Sequence, residues 1–143
     1  MMSRKKIIIA INQSDFAEHV MKEAYEIAES IDADVKIVTV INIPRLASEG
    51  ELDASQIESE EREVAELHKK LIDKYFSGSV LLVESTILHG NPVQKICEFA
   101  TKSKADIVVI GVRGLGKLQS KLLGSVSESV IKNCHCSVMV VRK

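Results

Sequence analysis

Tryptophan is absent from the 143 residues, and only two Tyr and three Phe are present. So few flat rings leave little platform for stacking unpaired bases. A surplus of one charge is lacking too: 19 Lys+Arg stand against 20 Asp+Glu, a net charge of −1. Binding a phosphate backbone needs an excess of cations, so nucleic acid is not expected as a main partner. No apolar run approaches the roughly 20 residues that a bilayer span requires. The run Ile7 to Ile11 is ended by Asn12-Gln13-Ser14-Asp15. Arg4, Lys5 and Lys6 imitate the charged start of a signal peptide, but the apolar part after them is too short. The expectation is a cytoplasmic protein without a membrane segment. Cysteines are few, and Cys97, Cys134 and Cys136 cannot all pair within one chain, which fits a reducing compartment. Cys134-His135-Cys136 lacks the wider spacing and fourth ligand of a structural zinc site. A small buried hydrophobe is the plainer role for each cysteine.

What the chain does contain is ordinary for a globular protein: 45% apolar and 27% charged residues. Its length is close to one domain of about 150 residues, so residues 1–143 read as a single domain. Strand and helix patterns alternate along it. Lys6 to Ile11 is a continuous apolar strand. Ser14 is placed to cap a helix whose inner face is Val20, Ala24, Ile27, Ala28 and Ile31. Val35 to Ile43 is a second strand, ended by Pro44. A polar stretch from Arg45 to about Ser59 has no clear period. It leads into a helix with Ile57, Val64, Leu67, Leu71, Ile72 and Tyr75 on one face. Eight acids against Arg62 alone lie between Glu49 and Glu66, as on a solvated helix face beside a mobile loop; a lid or partner surface is the sharper alternative.

Val80 to Leu88 reads as a third strand. Gly90-Asn91-Pro92 then opens a helix with Asn as cap and Pro at the first helical position, turning Val93, Ile96, Cys97 and Ala100 inward. Ile107 to Ile110 is a fourth strand, a further helix begins near Ser125, and Ser137 to Val141 is the fifth strand. Five strands separated by helical crossovers predict an α/β fold: an open five-stranded parallel sheet with helices on both faces.

Ligands of such sheets sit beyond the carboxyl ends of the strands. Asn12-Gln13-Ser14-Asp15 follows the first strand, and Gly111-Val112-Arg113-Gly114-Leu115-Gly116-Lys117 follows the fourth. Glycines allow close backbone approach, a helix start offers free N–H groups, and Arg113, Lys117 and Lys121 add positive charge. The combination points to an anion site. Ser125-x-x-Glu128 also reads as a capping box that needs no ligand. Gly111-x4-Gly116-Lys117 imitates a phosphate-binding P-loop, but Leu118 stands where the magnesium-holding hydroxyl belongs. No G-x-G-x-x-G follows the first strand, which removes the dinucleotide fingerprint. Nor is there the acidic cluster of a phosphoacceptor receiver domain. His89 falls near a strand end, where a structural or solvent-facing role competes with approach to the crevice.

Gly111-x2-Gly114-x9-Gly124-Ser125, followed by Val126-x-x-x-Val130-Ile131, resembles the nucleotide-binding signature of the universal stress protein family. The likeness extends along the chain, through the Lys6–Ile11 strand, Gly90-Asn91-Pro92 and Val138-Met139-Val140-Val141. It implies a Rossmann-like sheet of strand order 3-2-1-4-5. It also implies ATP bound between strands one and four, with Val40 backbone on the adenine and Ala10 and Asn12 beside it. Gly111, Arg113, Gly114, Gly124, Ser125, Val126 and Ser127 would hold ribose and phosphates, and Mg²⁺ or Mn²⁺ would bridge those phosphates. Dimerisation is implied through the last strand, Ser137 to Val141. Asn12 departs from the Asp that nucleotide-binding members carry there; it keeps an acceptor oxygen but lacks the charge. The expected function is a stress-response protein that works as a nucleotide-dependent switch or a partner-recruiting homodimer. A non-nucleotide dimeric scaffold is the alternative, and a slow ATPase a further one. No general base, nucleophile or paired carboxylates are legible, so no catalytic residue is assigned.

Overall fold

The isoleucine-rich segment after Lys5 forms β1 (Lys6–Ala10), in which every residue from Ile7 onward is buried. A strand covered on both faces needs such a run, because neither side of its pleat meets water. The computed structural model describes residues 4–112 and 125–142. Along the chain follow α1 (Phe16–Ile31), β2 (Asp34–Asn42), α2 (Ile43–Ser48), α3 (Ala54–Phe76), β3 (Val83–Gly90), α4 (Pro92–Ser103), β4 (Ile107–Gly111), α5 (Ser125–Asn133) and β5 (Ser137–Val141). The sheet is parallel throughout, in the order β3-β2-β1-β4-β5. This is the expected architecture.

Side chains alternate across the sheet with the period of two that a strand imposes. Ile7, Ile9, Val35 and Ile37 pack beneath α1 and α3. Ile8, Ala10, Val38 and Val108 pack with Ile96 and Ala100 of α4 and Val130 of α5 on the other face. The registers place Ala10 beside both Val38 and Ile110, so β1 and β4 end nearly level while β2 runs on to Asn42. Chain order reverses between β1 and β4, which opens a crevice above their carboxyl ends.

Several boundaries differ from expectation for local reasons. Helix α1 begins at Phe16; Ser14 serves through its backbone carbonyl, which accepts the Ala17 N–H at 3.0 Å. The polar stretch after Pro44 is mostly helical. Asn42 Oδ1 accepts from the Arg45 N–H at 3.0 Å and starts α2, and Asp53 Oδ1 accepts from the Gln56 N–H at 2.8 Å and starts α3. Two side-chain caps thus convert an aperiodic sequence into helix. Strand β3 starts at Val83, where pairing with Val35 begins, and Val80 and Leu82 ahead of it are exposed. The cap at Asn91 is as expected, accepting from the Gln94 N–H at 3.1 Å.

The cysteines depart furthest from expectation. Cys97 of α4 and Cys134, just past α5, are joined by a disulfide with Cα atoms 4.9 Å apart, and Cys136 is free. An odd count leaves one thiol over; it does not imply three, so it carries no weight for a reducing compartment. Among the described residues, no helix is long and apolar enough to cross a membrane.

Candidate functional site

The crevice is a cavity of about 680 Å³, within the range of small-molecule sites. Its floor is the ends of the three central strands: Ala10 and Ile11, Val38 to Asn42, and Ile110 to Val112. The β1–α1 turn, Asn12 to Asp15, forms one rim, and the first turns of α4 and α5 add Pro92, Ile96, Val126 and Ser127. The crossover after β2 closes a side with Arg45, Glu60 and Val64. Ala10, Asn12, Val40, Gly111, Val126 and Ser127, six of the residues expected from sequence, therefore line one cavity. Ser125 is the first residue of α5 and is exposed. Arg113, Gly114 and Gly124, with Lys117 and Lys121, lie outside the described residues.

The floor is irregular where β1 gives way to the turn. The ladder continues one residue past β1, with the Ile11 N–H on the Val38 carbonyl at 3.0 Å. In a regular parallel ladder the next rung would run from the Val40 N–H to the Ile11 carbonyl. That rung is not among the backbone hydrogen bonds of the described residues. The Ile11 carbonyl instead accepts from Thr39 Oγ1 at 2.8 Å. Both backbone groups of Val40 thus point toward the side where β1 has ended.

Behind Thr39 lies a polar chain that runs from the buried interior to exposed Ser85. Thr39 is 4% exposed and His68 of α3 is 1% exposed, with His68 Nε2 2.8 Å from Thr39 Oγ1 and Nδ1 2.6 Å from Ser85 Oγ on β3. Thr39 spends its only proton on Ile11, so His68 Nε2 must donate to it. Nδ1 then accepts from the Ser85 hydroxyl, which specifies the neutral tautomer. Burial disfavours the imidazolium and lowers the His68 pKa from 6.5 to about 4.

The opposite wall is shaped by contact. A Cβ at Gly111 would lie 2.6 Å from the Phe16 ring and from Val20 Cγ2. Close approach of α1 to the end of β4 therefore requires glycine here, with or without a ligand. Among the charged rim residues, Arg45 is held by Glu60 at 3.0 Å and Glu49 at 3.2 Å. Gln13 Nε2 donates to Glu63 at 3.2 Å, tying the β1–α1 turn to α3. His89 Nε2 meets Glu61 at 2.9 Å, so this histidine faces α3. The capping box expected at Ser125 is not formed in that sense: Ser125 is already helical, and Glu128 pairs with Lys132 at 3.2 Å. Among the described residues, no three His, Cys, Asp or Glu side chains group as a metal site.

Thr39, His68, Arg45 and Glu60 were not anticipated from the sequence. For His68 a signal existed: it sits four residues after Val64 and three before Leu71, in register with the buried stripe of α3. For Arg45 and Glu60 there was none, since their meeting depends on how α2 folds back.

Comparison with known proteins gives a consistent result. The model of the universal stress protein family matches residues 3–142. A universal stress protein of Methanocaldococcus jannaschii is 38% identical over 144 residues, covering 97% of this chain and 82% of that protein. Among solved structures, a universal stress protein from Archaeoglobus fulgidus in complex with dAMP superposes with a TM-score of 0.71 at 25% identity, covering 97% of this chain and 98% of the other. A universal stress protein in complex with cAMP superposes with a TM-score of 0.72 at 21% identity, covering 99% and 98%, a likeness of fold.

Proposed function

Given that the chain belongs to the universal stress protein family, we propose that it binds an adenine nucleotide, ATP in particular, in the crevice between β1 and β4. The observation that carries this reading is the interrupted rung at Val40. Its N–H and carbonyl face the same way from the floor of a cavity of nucleotide size, a donor and an acceptor side by side. Adenine presents the complementary pair at N1 and its amino group. Asn12 at the rim offers both an acceptor and donors to a sugar or base edge. Ser125, Val126 and Ser127 lie in the first turn of α5, where backbone N–H groups and the helix dipole favour phosphate oxygens, and Gly111 at the end of β4 lines the same cavity as Val126 and Ser127. Arg113, Gly114 and Gly124 complete the glycine-rich motif in sequence. Mg²⁺ or Mn²⁺ would enter with the phosphates, since the described rim supplies no cluster of its own ligands.

The protein would act in the cytoplasm in the response to stress, as a nucleotide-dependent switch or a dimer that recruits partners. Edge strand β5 is the surface for that dimer, with Val138, Met139 and Val140 half-buried. Such an apolar edge gains by pairing with a second copy. Calorimetric titration with ATP, with and without Mg²⁺, tests the site. Micromolar binding that is lost in Gly124→Val while the fold persists is the expected result. Absence of binding at every reachable concentration would transfer the function to the non-nucleotide scaffold.

A further inference from the structure

Two features of the molecule are unexplained by nucleotide contact alone: a histidine buried to 1% exposure, and a strand ladder that stops one rung early. They meet at Thr39. Its hydroxyl takes the Ile11 carbonyl at 2.8 Å and is itself held by His68 at 2.8 Å. We propose that Thr39 and His68 form a positioning latch that keeps the β1–β2 ladder open at Val40, so that the Val40 backbone stays available to a purine base. The proposal rests on the nucleotide reading above, and in it Thr39 and His68 are positioning residues that act through the Val40 backbone.

The physical argument concerns one carbonyl and one proton. With an apolar residue at position 39, the Ile11 carbonyl would have the Val40 N–H as its nearest available donor, and the ladder would close by one rung. The Thr39 hydroxyl takes one lone pair of that carbonyl and draws it toward the α3 side of the sheet, and with it there the Val40 rung is absent. A threonine hydroxyl can also rotate away and donate elsewhere. His68 prevents this, because its Nε2–H fills the lone pair of Oγ1 and leaves the hydroxyl proton directed at Ile11. Ser85 in turn donates to Nδ1 at 2.6 Å, which keeps the proton on Nε2. Three side chains from β2, α3 and β3 thus act on a carbonyl at the end of β1. Each link is short, and Thr39 and His68 are shielded from water that would substitute between them, while Ser85 is exposed.

The test uses the full chain and two readouts. Thr39→Val alone strands the His68 donor in the interior and risks unfolding, so the decisive variant is Thr39→Val with His68→Leu, which removes both buried partners together. Hydrogen exchange at the Val40 amide reports on the rung without any ligand. It should be fast in the natural protein and slow in the double variant, with Ile9 and Val109 amides protected in both as evidence of an intact sheet. Titration with AMP should show affinity reduced about tenfold or more in the double variant. Thr39→Ser, which retains the hydroxyl, should keep both properties of the natural protein. Equal Val40 exchange in the natural protein and the double variant would overturn the latch. Slowed exchange with unchanged AMP affinity would overturn its role in binding. Failure of the natural protein to bind AMP or ATP would instead overturn the nucleotide reading, while the exchange result would still decide whether Thr39 and His68 hold the ladder open.

Discussion

The two flanks of the crevice are held by different kinds of bond. On the β2 side, the wall is pinned by uncharged polar groups, from exposed Ser85 through buried His68 and Thr39 to the Ile11 carbonyl. On the β4 side it is pinned by contact and covalency. Gly111 lets α1 lie against the strand end, and the Cys97–Cys134 disulfide ties α4 to the end of α5, whose first turn lines the cavity. The lesson is that the flanks answer to different conditions. A hydrogen-bonded imidazole responds to protons, whereas a disulfide responds to reductant. The crevice can therefore be loosened from either side separately.

Reduction should have the largest effect. The disulfide spans a sequence separation of 37, and opening such a loop costs about 3–4 kcal/mol of stability when the unfolded chain regains its freedom. Dithiothreitol or Cys97→Ser should lower the denaturation midpoint accordingly, and exchange should accelerate in α5 before it does in β2. Equal acceleration on both flanks would break the comparison.

Acid should act on the other flank. His68 has a pKa of about 4 in the fold against 6.5 when unperturbed. Between those values the unfolded chain takes up a proton that the folded chain refuses, so stability falls as pH drops from about 6.5 to about 4. The full loss is about 3 kcal/mol. Denaturant titrations across that window should show the slope, and His68→Leu combined with Thr39→Val should flatten it.

Gly111→Ala comes next, at about 1–3 kcal/mol, because the new Cβ meets the Phe16 ring and Val20 at 2.6 Å. The loss should appear without nucleotide and be partly recovered by Phe16→Leu in the same chain, a coupling that a double-mutant cycle measures. A loss seen only with nucleotide present would assign Gly111 to the ligand alone. The smallest effect belongs to Arg45→Gln. Its partner Glu49 is exposed but the Glu60 side chain is only 13% exposed, so the change in midpoint should correspond to about 1 kcal/mol.

Much of this molecule was legible before folding. The run Lys6 to Ile11 announces a strand buried on both sides, and Asn91-Pro92 announces a helix start, because each depends on neighbours a few residues away. The stretch after Pro44 was misread as irregular since its two helices rest on single capping residues, Asn42 and Asp53, with little apolar period to betray them. Six of the ten expected site residues line the cavity, carried there by strand ends whose positions the element order already implies.

The residues by themselves determined the alternation of five strands with their main crossover helices, the family and the glycine-rich motif, all of which are written in local pattern. Tertiary structure alone decided the rest: that Cys97 meets Cys134, that Gly111 is required by Phe16 and Val20, and that His68 lies behind Thr39. These are meetings of groups far apart in the chain. Periodicity reports which face of an element turns inward; only the packed sheet determines what that face encounters.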